Sequence, residues 1–429
     1  MLPWRIARVL ALSLVLFHAT SLPAADWPQW RGPSRTGRVP HGSPSIPRVP
    51  AAPRTVWKVP AGDGFASPVV AAGRVFAMDA QDGRETLRAL DAASGSELWR
   101  AEVDDTFRDS QGPPAPRCTP VASGDRVYAQ SCRGQLACFD AADGRRLWSV
   151  HYGRDFGAVF TGEKGNAPGA TRHGNNGAPW VEGDTLWASV GSTQGAGVVA
   201  MDAHAGKVLW KSANEVAAYA APMVVVLHGT RQVVHFMADA TLGLDAANGK
   251  VLWRHPMKTA FARHVMTPIL HGNRVVVGSH QTGMVALDLR PGTDGWVVHE
   301  AWKNNDAAPN FSCPVAVGRH IIGLGPSRDV VSIDADNGAT LWKQAGWVSS
   351  AADKAHAGFV VLPDDSLLVL TDSGEIIHFR DEGGTCRELG RAQVCGANWC
   401  NPALAGTRLY LRDGMKSGGT WRCIELGSE

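Results

Sequence analysis

An aspartate, a glycine four residues on and a tryptophan four beyond it recur along this chain at fixed spacing. The copies are Asp91/Gly95/Trp99, Asp140/Gly144/Trp148, Asp202/Gly206/Trp210, Asp245/Gly249/Trp253 and Asp334/Gly338/Trp342. An aspartate opening a turn accepts hydrogen bonds from the backbone ahead of it, and glycine takes positive φ without steric cost. The tryptophan offers a large apolar group for burial against a neighbouring unit. Reading outward from the first copy gives four short strands, A to D: Ser67–Val70, Val75–Asp79, Thr86–Asp91 and Glu97–Ala101. They are separated by the turn signals Gly73-Arg74, Asp82-Gly83 and Ser94-Gly95.

The signature tryptophans fall at 57, 99, 148, 210, 253, 302 and 342. Steps of 40 to 62 residues with four strands per step describe an all-β propeller, in which sheets that cannot bury both faces alone pack radially on one another. The expected blades are Ala66–Glu102, Cys118–Val150, Ala178–Lys211 and Ala221–Arg254. They continue with Met266–Lys303, carrying an insertion after Asp288, then Cys313–Lys343 and a degenerate unit, His356–Leu389, without the tryptophan. Asn401–Leu426 supplies only strands A to C, while Thr55–Val59 reads as a lone strand D. Sharing one blade between the termini closes an eight-bladed ring; if the degenerate unit is not a blade, the ring has seven.

These units resemble the repeats of the pyrroloquinoline quinone (PQQ) quinoprotein propellers, from about Val56 to Leu426. The length and lone-propeller layout are most similar to the PQQ-like group that includes the propeller subunit of the outer-membrane β-barrel assembly machinery. The opening Asp26-Trp27-Pro28-Gln29-Trp30-Arg31-Gly32-Pro33 resembles the lead-in of secreted bacterial members. The resemblance implies the fold; function needs a site, because one scaffold hosts many roles.

Residues 1–24 read as a secretory signal: Arg5 and Arg8, an apolar core from Val9 to Phe17, then small residues ending at Ala24-Ala25. The expected location is therefore the periplasm or the exterior, with no transmembrane segment in the mature chain. No cysteine precedes Cys118, so the chain does not read as a lipoprotein, unlike the assembly-machinery subunit it resembles. Residues 25–54 read as an extended arm against the ring, with Trp27 and Trp30 as packing anchors, and residues 55–429 as the propeller. A net charge of +2 without a basic run excludes nucleic acid as a partner. The closed ring reads as a monomer.

Eight cysteines in an exported chain suggest disulfides. Cys118 with Cys132 is the first expected pair, at the open ends of an A–B hairpin, and Cys395 with Cys400 the second. Cys386 and Cys423 lie in the last two blades without an assigned pairing, and Cys138 and Cys313 read as buried thiols. The dispersed spacing does not make a zinc site.

Loops before strand A and between B and C share one face of the ring. Two are long, Val103–Arg117 and His151–Asn176. Polar groups just ahead of strand A are expected to ring the channel mouth: Arg117, then Arg172, His173, Asn175 and Asn176, then Arg263 and His264. Asn310, Asn398 and Trp399 extend the set. Arginine and asparagine donors in a funnel suit a polar or anionic ligand, or a peptide segment. The expectation is thus a non-catalytic scaffold that binds an envelope or secreted partner protein, or a small polar ligand, at the funnel face. The alternative is a PQQ- and calcium-dependent oxidoreductase, as in the quinoprotein dehydrogenases. The adjacent cysteine pair those enzymes carry near the quinone is missing here, and no spacing selects a calcium set. Carbohydrate recognition by the tryptophan- and asparagine-bearing loops is a third reading, without a specific motif. No catalytic or metal-ligating residues stand out.

Overall fold

The computed structural model describes residues 26–110, 114–163, 167–348, 355–415 and 418–427. Its strands form eight antiparallel sheets of four strands each, a ring of eight blades that includes the degenerate unit. The signal-peptide reading lies outside the described residues. Strand A meets its counterpart in a neighbouring blade at the first, second, third, fifth, sixth, seventh and eighth blades, which puts it innermost. In the eighth blade Ala403–Ala405, Arg408–Asp413 and Thr420–Glu425 are joined by the N-terminal strand Arg54–Pro60, in register from Arg54 opposite Glu425 to Pro60 opposite Thr420. The lone strand D expected from the sequence thus closes the ring. The insertion after Asp288 is a two-stranded extension, Gly283–Gly292 paired with Gly295–Asn304.

The repeat carries the blade-to-blade contact. Asp245 Oδ1 accepts from Ala247 N at 2.9 Å and Asn248 N at 3.3 Å, and Gly249 follows at φ +75°. The left-handed turn lays its backbone under Trp210 of the preceding blade, so a Cβ on Gly249 would meet the indole at 2.5 Å. Trp210 Nε1 donates to Ala246 O at 3.2 Å. The same pairing links Trp57 with Gly95, Trp99 with Gly144, Trp148 with Gly206, and Trp302 with Gly338. Where the glycine turn is missing, the indole finds another acceptor: Trp253 donates to Gln232 Oε1 at 2.7 Å and Trp342 to Asp381 Oδ1 at 2.9 Å.

The N-terminal arm pairs with strands of the ring and crosses the channel between blades on opposite sides. Trp27 pairs with Val70 of the first blade, and Trp30 Nε1 reaches Thr267 Oγ1 of the opposite, fifth blade at 3.2 Å. Arg35, fully buried, donates to Ala178 O at 2.9 Å and Pro222 O at 3.0 Å, in the third and fourth blades. Arg31 donates to Pro314 O of the sixth blade. Val39 N donates to Val361 O of the seventh at 3.0 Å.

The expected disulfides are not formed: all eight cysteines are free thiols. Cys118 packs in the core between the second and third blades, whereas Cys132 packs with Phe107 and Ala115 beneath the loop above. Their side chains leave the hairpin on different sides. Cys395 lies in the core of the last blades, its Sγ 4.0 Å from Gly374 O, and the nearby Cys400 is buried but unpaired.

Gly249→Ala is expected to destabilise the ring by about 2–4 kcal/mol, from the strained φ and the clash with Trp210. Trp99→Ala should cost about 3–5 kcal/mol. Urea unfolding of the two variants reads both, and an unchanged midpoint for either would refute the inter-blade role given to this contact.

Candidate functional site

Seven of the eight strands A are headed by an X-Pro dipeptide, beginning with Ser67-Pro68 and Thr119-Pro120 and ending with Asn401-Pro402, each proline directly preceding the first strand residue. Proline fits there because strand A is an edge that need not donate inward, and it forces the residue before it into extended backbone. Successive side chains then alternate between the channel and the inter-blade core. Residue X and the residue two before it face the channel, which gives the mouth two tiers.

The inner tier contains Ser67, Thr119, His356 and Asn401, with alanines at 178 and 221. The outer tier contains Phe65, Arg117, Asn176, Tyr219, Phe311 and Trp399. Together they line a cavity of about 1030 Å³, counted with its open mouth. Trp30 also lines it, from the arm. The cavity is therefore blind: the arm is its floor.

Of the residues expected at the mouth, Arg117, His173, Asn176, Arg263 and Trp399 line this cavity. The others do not. Asn175, His264 and Asn398 sit at alternate positions and point into the wall. Asn175 Nδ2 donates to Cys132 O at 3.3 Å. His264 is fully buried, stacked on Phe236 at 4.0 Å, with Nδ1 2.7 Å from Met237 O. Burial depresses its pKa to about 4, so it is neutral in the fold. Asn398 accepts from Cys400 N at 2.8 Å and holds the loop. Arg172 lies over Phe261 at 4.7 Å, outside the lining, and Asn310 is not part of it either. The polar pattern ahead of strand A does not reveal Phe65, Tyr219, Phe311, Trp30 or the inner-tier Ser67, Thr119 and Asn401; the X-Pro register points to all of these except Trp30.

The wall is an aromatic and cationic belt. Arg263 lies over Phe311 at 5.5 Å, Phe311 stacks on Trp399 at 5.2 Å, Trp399 meets Phe65 edge-on at 6.0 Å, and Arg117 lies over Phe65 at 5.1 Å. Arg117 is held in a bidentate pair by Asp109, at 2.9 and 2.8 Å. The Asp109 carboxylate is fully buried and also meets His173 Nδ1 at 2.8 Å. This spends its charge and turns His173 Nε2 away from it. Two long loops meet above this cluster: Phe107 packs edge-on against Phe160 at 5.0 Å, and Ser110 N donates to Glu163 at 2.6 Å. Arg263, unlike Arg117, has no ion pair among the described residues.

A calcium-bound quinone does not fit this lining. Among the described residues no aspartate or glutamate lines the cavity, Asp109 is committed to Arg117 and His173, and no group of three or more acidic, histidine or cysteine side chains able to hold a metal occurs.

The sequence matches the family described as outer membrane protein assembly factor BamB over residues 49–168, 84–323 and 326–424. The chain belongs to this family. A BamB of Shewanella oneidensis is 30% identical over 108 residues, a stretch that spans 23% of this chain and 27% of that protein. The crystal structure of BamB from Moraxella catarrhalis superposes with a TM-score of 0.58 at 15% identity, covering 88% of this chain and 99% of that one. A quinohemoprotein alcohol dehydrogenase of Pseudomonas putida HK5 superposes at 0.50 with 13% identity, covering 94% and 81%. At such identities the structural likeness is one of fold, and that fold is shared by an assembly factor and a redox enzyme.

Near Arg117, the fully buried Glu85 accepts a long hydrogen bond from Cys132 N, 3.4 Å from each carboxylate oxygen. Burial raises its pKa from 4.5 to about 8. The unfolded glutamate loses its proton near 4.5, while the folded one keeps it to about 8. The folded state binds more protons in that window, so this group's contribution falls as pH rises from 4.5 to 8. Glu85→Gln is expected to flatten that decline in urea midpoints measured across the window; a variant that keeps the wild-type slope would refute the assignment.

Proposed function

We propose that this chain is an exported, non-catalytic binding platform that serves the assembly of outer-membrane proteins, its funnel holding a polar or acidic element of a partner or ligand. The observation that carries this reading is the blind cavity. Among the described residues it offers hydrogen-bond donors, aromatic walls and an Arg263 without an ion pair, but no carboxylate to act as a base or to hold a cation. Membership of the BamB family supports the assembly role, and the apolar walls with few directed polar groups suit recognition. Among the described residues no helix is long and apolar enough to cross a membrane. The platform is therefore expected to meet its partners through its loops and funnel. The missing calcium ligands weigh against the quinoprotein dehydrogenase reading.

The test is deletion of the gene in its native bacterium. Folded outer-membrane barrels, scored by heat-modifiable migration on gels, are expected to fall and to recover with the wild-type chain. Unchanged barrel levels would overturn the assembly role. Purified protein given PQQ and calcium is expected to leave an artificial electron-accepting dye unreduced by alcohols or aldoses; sustained turnover would overturn the non-catalytic reading.

A further inference from the structure

The funnel holds more uncommitted neutral hydrogen-bonding groups than a bare anion would use. Among the described residues, Thr119 Oγ1 and the Asn401 side-chain amide make no hydrogen bond. Asn176 has only a weak thiol contact to its Oδ1, at 3.6 Å from Cys132 Sγ, which leaves its Nδ2 unused. Ser67 Oγ accepts from Asn401 N at 2.9 Å and keeps its own proton to donate. His173 Nε2 is unused because Asp109 holds Nδ1. Thr119 and Asn401 are 3% and 5% exposed, so what solvent they meet is that of the cavity. Above this tier stand the aromatic walls and Arg263.

Burying a ligand against donors and acceptors it cannot match forfeits their contacts with water and returns nothing. The fitting ligand therefore carries several hydroxyls at its edge as well as an acid. It must also present apolar faces to Trp30, Phe311 and Trp399. A flat aromatic acid satisfies the walls and Arg263 but strands the inner tier. A sugar ring has C–H faces for the aromatic walls and a rim of hydroxyls for serine, threonine and asparagine. A carboxylate on that ring answers Arg263. Because Trp30 and the arm close the far end, a chain can enter only by its end.

We propose that the funnel binds the terminal residue of an acidic saccharide, a uronic-acid sugar, with its carboxylate on Arg263 and its hydroxyls on Thr119, Asn176 and Asn401. This rests on the reading of the funnel as a non-catalytic ligand site and names the ligand's chemistry.

The test is calorimetric titration of the full mature chain with galacturonic acid, its trimer and the methyl-esterified trimer, with 2-naphthoate as the aromatic-acid control. One-site saturation by the trimer is expected, with the ester about ten-fold weaker for loss of a charge-assisted contact. Equal affinity for monomer and trimer would mark a free sugar acid as the ligand, and tighter binding of the trimer a polysaccharide end. Arg263→Gln should abolish the preference for the acid over its ester while leaving the fold, read by circular dichroism and urea midpoint, unchanged. Asn401→Ala should weaken acid and ester alike by about ten-fold. Binding of naphthoate without the saccharides, or saccharide binding indifferent to Arg263, would overturn the proposal. The gene-deletion assay reads the assembly role separately, so either idea can fail without the other.

Discussion

The propeller depends on one contact made repeatedly: an indole of one blade laid on the glycine turn of the next. Each glycine is required twice over. Its φ is positive, +75° at Gly249 and +76° at Gly95, Gly144 and Gly338, and its missing Cβ is where the tryptophan ring sits. The aspartate that opens the turn fixes the backbone so that the carbonyl after it points at the indole nitrogen. Turn, packing and hydrogen bond therefore form a single unit that is useful only when another blade is present. This explains why the pattern survives in blades whose loops have nothing in common. It also explains the exceptions: the fifth and seventh blades lack the spaced aspartate–glycine turn, so Trp253 turns to Gln232 of its own blade and Trp342 to Asp381 of the seventh.

Because each half of that contact is written in a short stretch of chain, the ring is legible in the sequence. The blade count, the shared last blade and the insertion after Asp288 all follow from where the signature occurs and where it breaks. The site is only half legible, for a reason of periodicity. Polar residues near the head of strand A are the natural candidates, but extended backbone sends neighbours to opposite sides. Arg263 faces the cavity and His264 the wall; Trp399 faces the cavity and Asn398 the loop beneath it. The proline that sets this alternation is itself in the sequence, and its register exchanges three wall residues for Phe65, Tyr219 and Phe311. The arm is not legible in this way, since it has no repeat and its partners lie on blades far apart in the chain. The cysteines mislead for the same reason as the histidine: nearness along a hairpin says nothing about which side each thiol takes.

The same scaffold serves assembly factors and redox enzymes, so the lining decides what a given ring does. A quinone with calcium calls for oxygen ligands around the ion; among the described residues no carboxylate lines the cavity, and Asp109 beside it is held by Arg117 and His173. Arg263 has no such partner among the described residues. The difference between these two arginines sets the electrostatics of the funnel: one is neutralised within the wall, and the other is not paired there.

The arm answers a problem created by the ring itself. The innermost strand of every blade is an edge, and the backbone groups it turns to the channel need partners. Proline at the head of strand A removes a donor there but leaves its carbonyl. Arg35 carries five donors on a planar fork, and spends four of them on Gln29 within the arm and on carbonyls of residues 178, 179 and 222 across two blades. Burial draws its pKa down to about 9, which leaves the guanidinium charged at neutral pH. A lysine could not span those acceptors, and an apolar plug would leave them unmatched. The segment that satisfies the edge carbonyls also carries Trp30 to the base of the cavity, so closing the channel and shaping the pocket are one act of folding.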